Sequence, residues 1–172
     1  MRKHLIIGAV LALGLIGLGA CDALAAPLYI SGHVGVSTEQ SVGGISFEDQ
    51  NTFGGAIGTA VGPVRVEVGV DRHNGSAYGG IVQSRATVYN ASAFLDTSSG
   101  FYAGGGVDWA QASESFYGCK ENDSGFGYHA AVGYAKRISD NIILDAQARY
   151  THLDVFEGSS DVTFTVGARV AI

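Results

Sequence analysis

FGYHAAVGYAKRISDNIILDAQARYTH, Phe126 to His152, decides the fold. Its first arm, read every second residue, puts Phe126, Tyr128, Ala130, Val132 and Tyr134 on one side and Gly127, His129, Ala131, Gly133 and Ala135 on the other. The second arm sets Ile142, Leu144, Ala146, Ala148 and Tyr150 against Asp145, Gln147, Arg149 and Thr151. Side chains alternate across a strand, so these are two strands joined by the polar turn Ser139-Asp140-Asn141. Each arm has about the 9–11 residues that a tilted strand needs to cross a bilayer. An oily face with rings near its ends, backed by a small and polar face, suits lipid outside and a polar lumen inside. A half-buried strand of a soluble sandwich alternates in the same way, so the hairpin needs the rest of the chain.

The 172 residues make one domain and leave no room for a second. Met1 to Ala25 has a basic start (Arg2, Lys3), an apolar run from Leu5 to Leu18 and the small-x-small site Ala23-Leu24-Ala25, which reads as a secretory signal. Residues 26–172 are then the mature domain. Leu18-Gly19-Ala20-Cys21 also fits a bacterial lipobox with Cys21 acylated; the Ala-Leu-Ala site is preferred because the first strand begins almost at once. Loss of Arg2, Lys3 and Asp22 with the signal takes the formal charge from −6 to about −7. No basic patch suited to nucleic acid is left. Two cysteines make no disulfide framework, and Cys119 reads as a free thiol in a loop. Glycine is abundant, at 26 residues. In strand interiors that weakens a sheet, but small residues fit the inside of a narrow barrel.

In order, strands are expected over Leu28–Ser37, Phe53–Val61, Val64–Asp71, Arg85–Leu95, Phe101–Gln111, the two arms of the hairpin and Asp161–Ile172. Long polar loops are expected over Thr38–Asn51, Arg72–Gln83, Ala112–Gly125 and Leu153–Ser160, alternating with short turns. The strand count is even and the connections alternate long and short, as in barrels inserted from the periplasm. With the short turns placed at the periplasmic end, Phe53, Trp109, Phe126, Tyr128, Tyr150 and Phe164 gather at the long-loop end of the oily face, and Phe101 and Tyr134 at the other. Rings at both interfaces with Val, Ile and Ala between them form two aromatic girdles, and a soluble core has no reason to sort rings by height. The expected fold is an eight-stranded antiparallel up-and-down transmembrane β-barrel.

Tyr29-Ile30-Ser31-Gly32, Val64-Arg65-Val66-Glu67-Val68, Phe101-Tyr102-Ala103-Gly104-Gly105-Gly106, Ser124-Gly125-Phe126-Gly127-Tyr128-His129 and the Ile138-Ser139-Asp140-Asn141 turn make the chain resemble the small outer-membrane β-barrel family: the OmpA transmembrane domain, OmpX and opacity-type surface antigens. The resemblance covers nearly everything from Leu28 onward. It implies a Gram-negative outer membrane, surrounding lipid and lipopolysaccharide, and the outer-membrane assembly machinery as partners. Such relatives usually end in an aromatic residue that this machinery reads; here the last residue is Ile172.

Chemistry has few footholds in the sequence. Arg65, Glu67, Asp108, Asp145, Gln147, Arg149 and Arg169 all fall on the inward face and must find partners there. Eight strands leave a lumen that side chains fill, so a packed charge network, with Asp145 bridged to Arg169, is expected rather than an ion path. No Cys/His cluster has metal spacing, and no cofactor is expected. A lipid A deacylase would need a His-x-Ser pair facing lipid. His129 faces inward and is followed by alanines, Ser31 and His33 face the lumen, and His152, near the outer rim, has no serine in a readable motif. The acidic residues Glu39, Glu48, Asp49, Glu114, Glu121, Asp123, Asp154 and Glu157 read as solvated loop positions. The expectation is a monomeric, non-enzymatic surface barrel whose outer loops serve surface contact, adhesion or envelope integrity, with a host or surface ligand there. The rivals are a small-solute pore, a soluble periplasmic lipocalin-like barrel and a lipid-modifying enzyme.

Overall fold

The computed structural model describes residues 28–38, 40–42, 45–77, 82–116, 119–155 and 158–172. The expected signal segment with Cys21, and the loop acids Glu39 and Glu157, lie outside the described residues, as do the side chains of Glu48 and Asp49. The strands are β1 (Leu28–Ser37), β2 (Gln40–Val42), β3 (Ile45–Val61), β4 (Val64–Ala77), β5 (Val82–Asp96), β6 (Phe101–Phe116), β7 (Cys119–Arg137), β8 (Ile142–Leu153) and β9 (Ser159–Ala171). Each pairs antiparallel with its sequence neighbour, except that β1 bonds β9 on one side and β3 on the other. That double pairing closes eight strands into a ring and leaves β2 as a flap on the outer end of β3.

Alternation fixes which face is which. Val34, Val68, Val132, Leu144 and Val166 point outward and stay about half exposed, whereas Arg65, Asp71, Asp108, His129 and Arg169 are buried in the lumen. An outward apolar surface this continuous is stable only against hydrocarbon. The ring pairs Phe101–Tyr134 (centroids 5.0 Å apart) and Trp109–Phe126 (4.6 Å) mark the two ends of this band. They are eight residue steps apart on both β6 and β7. At about 3.3 Å per residue and a tilt near 40°, that is about 20 Å of height, close to the roughly 25 Å of an outer-membrane hydrocarbon band.

Short turns close the inner end. Gly62-Pro63 joins β3 to β4 with Gly62 at φ 60°, and Thr97–Gly100 joins β5 to β6 with Gly100 at φ 92°. Both angles lie in the left-handed region that glycine alone enters freely. Inside, glycine makes room. A Cβ on Gly58 would strike the Tyr29 ring, and one on Gly133 the Tyr102 ring, so these glycines let two tyrosines lie across the lumen.

The outer end corrects the sequence reading. Most of the segments expected as loops, Thr38–Asn51, Arg72–Gln83 and Ala112–Gly125, are continuing strand. β6 and β7 stay in register out to Phe116 and Cys119, and β4 and β5 out to Ala77 and Val82. Alternation fades there because water wets both faces, so nothing selects apolar residues on either; the backbone ladder needs no such pattern. β8 and β9 end close to the girdle, so the outer end is a tall wall on the β3–β7 side and a low rim on the β8–β9–β1 side.

Candidate functional site

The lumen holds a connected polar network in which every guanidinium has a carboxylate. At the inner end Arg65 pairs with Glu67 and donates from Nε to Asp96 Oδ2 (3.1 Å), while the Tyr29 hydroxyl donates to Glu67 (2.6 Å). Arg65 also lies over the rings of Phe94 (4.2 Å) and Tyr102 (4.6 Å). Its Nη2 has no hydrogen-bond acceptor, and the ring faces supply the negative potential it lacks. Arg169 pairs with Asp145, which also accepts from the Tyr102 hydroxyl (2.7 Å). Gln147 links this layer to the next, donating to Tyr102 Oη (3.3 Å) and accepting from Arg149 Nε (3.2 Å).

The middle layer turns on Asp71. Its Oδ1 meets His33 Nε2 at 2.8 Å, and its Oδ2 accepts from Asn90 (2.9 Å) and Arg149 Nη1 (2.6 Å). The seven residues expected inward all face the lumen; six of them form this network, and Asp108 stands apart with His129. Asp71, His33, Asn90, Tyr29 and Tyr102 were missing from the expected network, although parity alone puts each of them on the inner face.

Asp108, His129 and Ser92 form a second group. His129 Nδ1 faces Asp108 Oδ1 at 2.9 Å, and its Nε2 faces the Ser92 hydroxyl at 3.0 Å. The order acid–imidazole–hydroxyl is that of an acyl-transfer triad. Access decides against that chemistry: Ser92 is 6% exposed and His129 3%. The polar lumen cavity is only about 30 Å³, room for a water or two, and Ser92 and His129 are not among its lining residues. Above this layer Val88, Ala110, Ala112, Leu153 and Val155 pack into a buried apolar plug. Polar groups below and an apolar plug above fill the β5–β8 side of the lumen.

A third group sits outside, at the low rim. His152 Nδ1 lies 2.7 Å from Ser160 Oγ, which also accepts from the Tyr150 hydroxyl (3.2 Å), and Asp154 stands 3.6 Å from His152 Nε2. No readable motif along the chain offers His152 a serine; the β8–β9 register brings Ser160 opposite it. The arrangement lacks a working acid. Asp154 is beyond hydrogen-bond distance and three-quarters exposed, so it cannot fix the imidazole tautomer as a buried carboxylate does. His152 also stacks near Tyr128 (5.2 Å), an interfacial cluster continuous with the girdle. Of the remaining expected girdle residues, Phe53 and Phe164 project outward half exposed. No cluster of three or more His, Cys, Asp or Glu suited to a metal occurs among the described residues.

On the tall wall the expected acidic loop residues Glu114, Glu121 and Asp123 are strand residues on the lumen-side face, with Glu114 and Glu121 directly opposite each other. Glu114 Oε1 is buried with no hydrogen-bond partner among the described residues. Burial and the neighbouring Glu121 charge raise its pKa above the ordinary carboxylate value. Cys119 is free and exposed at the top of β7.

A closed eight-stranded barrel with a hydrocarbon-facing outside and a charged, plugged lumen is a small transmembrane β-barrel. The model of the outer membrane protein β-barrel domain matches residues 8–170, and the chain belongs to that family. No curated protein matches it in sequence. Among solved structures it is similar to Neisserial surface protein A (NspA; TM-score 0.72, 19% identity, 84% of this chain and 97% of that one). It is also similar to Ail, the attachment invasion locus protein of Yersinia pestis (0.61, 16%, 86% and 99%), and to the N-terminal β-barrel domain of Pseudomonas aeruginosa OprF (0.53, 14%, 84% and 98%). At these identities the likeness is one of fold.

Proposed function

We propose that this is a monomeric surface protein of a Gram-negative outer membrane, whose barrel is a structural stake and whose outer wall makes contact with surfaces or supports the envelope. The observation that carries this is the closed lumen. Paired charges, a cavity of about 30 Å³ and the Val88–Leu153–Val155 plug give neither a solute path nor a ligand chamber. What the molecule offers to the outside is the rigid wall of β3–β7, which in β6 runs on from Trp109 to Phe116, about 15–20 Å above the girdle at ordinary strand rise and tilt. The names of two structural neighbours, a surface protein and an attachment–invasion protein, are in keeping with such a role. No catalytic role is assigned, because one triad-like group is sealed and the other lacks its acid.

The test compares cells carrying the full chain with cells in which residues 112–124 are replaced by a short turn. The expected result is loss of attachment to epithelial or matrix-coated surfaces, with heat-modifiable gel migration of the barrel retained. Unchanged attachment and unchanged detergent sensitivity would overturn the reading. So would single-channel conductance of the purified protein in a planar bilayer, which favours the pore.

A further inference from the structure

The outward side of the tall wall has a charge pattern that the surface role does not use. On β4 and β5, Arg72 lies opposite Thr87 and Asn74 opposite Arg85. All four point outward, because Asp71 and His73 on β4, and Val88 on β5, point in. Arg72 and Arg85 are therefore diagonal neighbours on one face, about 7–8 Å apart between backbones, within joint reach of a single small anion. Gln111 and Ser113 extend the patch onto β6, opposite Thr87 and Arg85.

Three facts make this a binding surface. First, among the described residues neither the Arg72 nor the Arg85 side chain has an ion pair or hydrogen bond, whereas Arg65, Arg149 and Arg169 each hold a carboxylate. Second, the carboxylates on this part of the wall whose side chains are described, Glu114, Glu121 and Asp123, sit on the opposite, lumen-side face, away from the pair. Two adjacent unpaired guanidinium groups repel one another unless an anion lies between them. Third, the row immediately below is Val70–Tyr89–Trp109–Phe126, the outer girdle. The arginines thus stand one row above the hydrocarbon band, at the depth of the hydrated headgroups.

We infer that Arg72 and Arg85, with Asn74 and Thr87 as neutral donors, clamp a phosphate of an outer-leaflet glycolipid of the lipopolysaccharide type. Guanidinium forks bind phosphate oxygens two at a time, and the girdle below presents rings to the acyl chains of the same molecule. The inference rests on the membrane-embedded surface reading and assigns the lipid partner on one wall. It would tie the tall hairpins to the glycolipid layer through which they project.

The test uses the full barrel in nanodiscs of zwitterionic phospholipid, titrated with bisphosphorylated lipid A or with the same lipid stripped of phosphate. Trp109, the only tryptophan and one row below the clamp, reports binding by fluorescence. The wild type is expected to bind the phosphorylated lipid at least tenfold more tightly than the stripped one. The R72Q/R85Q variant, shown to be folded by heat-modifiable migration, is expected to lose that preference, and Lys136→Gln at the opposite rim to keep it. Equal binding of both lipids by the wild type, or an intact preference in R72Q/R85Q, would overturn the inference. Tighter binding of a soluble polysulfated sugar than of lipid A would overturn the lipid assignment in favour of a glycan. None of these outcomes depends on attachment, so the clamp can fail while the surface role stands; a protein that stays soluble without detergent would sink both.

Discussion

Replacing Asp71 by Asn tests the lumen where it is most committed. Asp71 is 2% exposed and takes three contacts, from His33, Asn90 and Arg149. Asparagine keeps the shape but removes the charge and turns one acceptor into a donor. Arg149, whose side chain is 14% exposed, would then have only the Gln147 amide oxygen and one carbonyl oxygen to face. Breaking a buried pair from one side costs about 3–5 kcal/mol, because the surviving charge is left without compensation. With a urea dependence near 2 kcal/mol per molar, the unfolding midpoint should fall by roughly 1.5–2.5 M. The assay is reversible urea unfolding in phospholipid vesicles, read by Trp109 fluorescence. Asp71→Asn/Arg149→Gln removes both charges and should recover more than half of the loss, a coupling on the order of 2 kcal/mol. A loss below about 1 kcal/mol for D71N, or additive costs in the double variant, would refute the reasoning. Either result would mean that water solvates these groups independently, and the pore would return as the better reading.

Three further outcomes follow from the same structure. Val68→Arg, at mid-height on the lipid face, should destabilise the barrel by about 2–4 kcal/mol in vesicles, against roughly 0–1 for Val64→Arg beside the inner turn; equal costs would mean that the outward face is not in hydrocarbon. Because the pKa of Glu114 is raised in the folded wall, its contribution is fully present below the unfolded carboxylate value and is lost as pH rises through the folded one. Proteolysis of the β6–β7 hairpin should therefore be slower at pH 4 than at pH 7.5, and Glu114→Gln should abolish that difference; a variant that keeps it refutes the assignment to Glu114. Finally, a fluorophosphonate probe should label neither Ser92, which is sealed, nor Ser160, which lacks a fixed acid; stoichiometric labelling of either serine would reopen the enzymatic reading.

The faces of the barrel were legible in the sequence because two different solvents select them. Lipid on one side and a crowded polar lumen on the other force opposite chemistry onto neighbouring residues, and Val64–Asp71 shows this in eight letters. Parity gives the face of a residue but neither its height nor its bearing around the ring. Asp145 and Arg169 could be paired in advance because they lie on adjacent strands, one diagonal apart. Asp71 and Arg149 face each other across the lumen from strands that share no ladder, and that pairing depends on the closure and stagger of the whole ring. Ser92 and His129 meet in one row over Gly106 of β6, so their pairing depends on two successive strand registers. The outer hairpins were missed for the converse reason. Water on both faces erases alternation, so Ala112–Gly125 reads as loop although Ala112–Phe116 and Cys119–Gly125 are paired as regularly as the barrel below. Yet the ladder carries parity upward unbroken, and it places Glu114 and Glu121 inside while Arg72 and Arg85 stay outside.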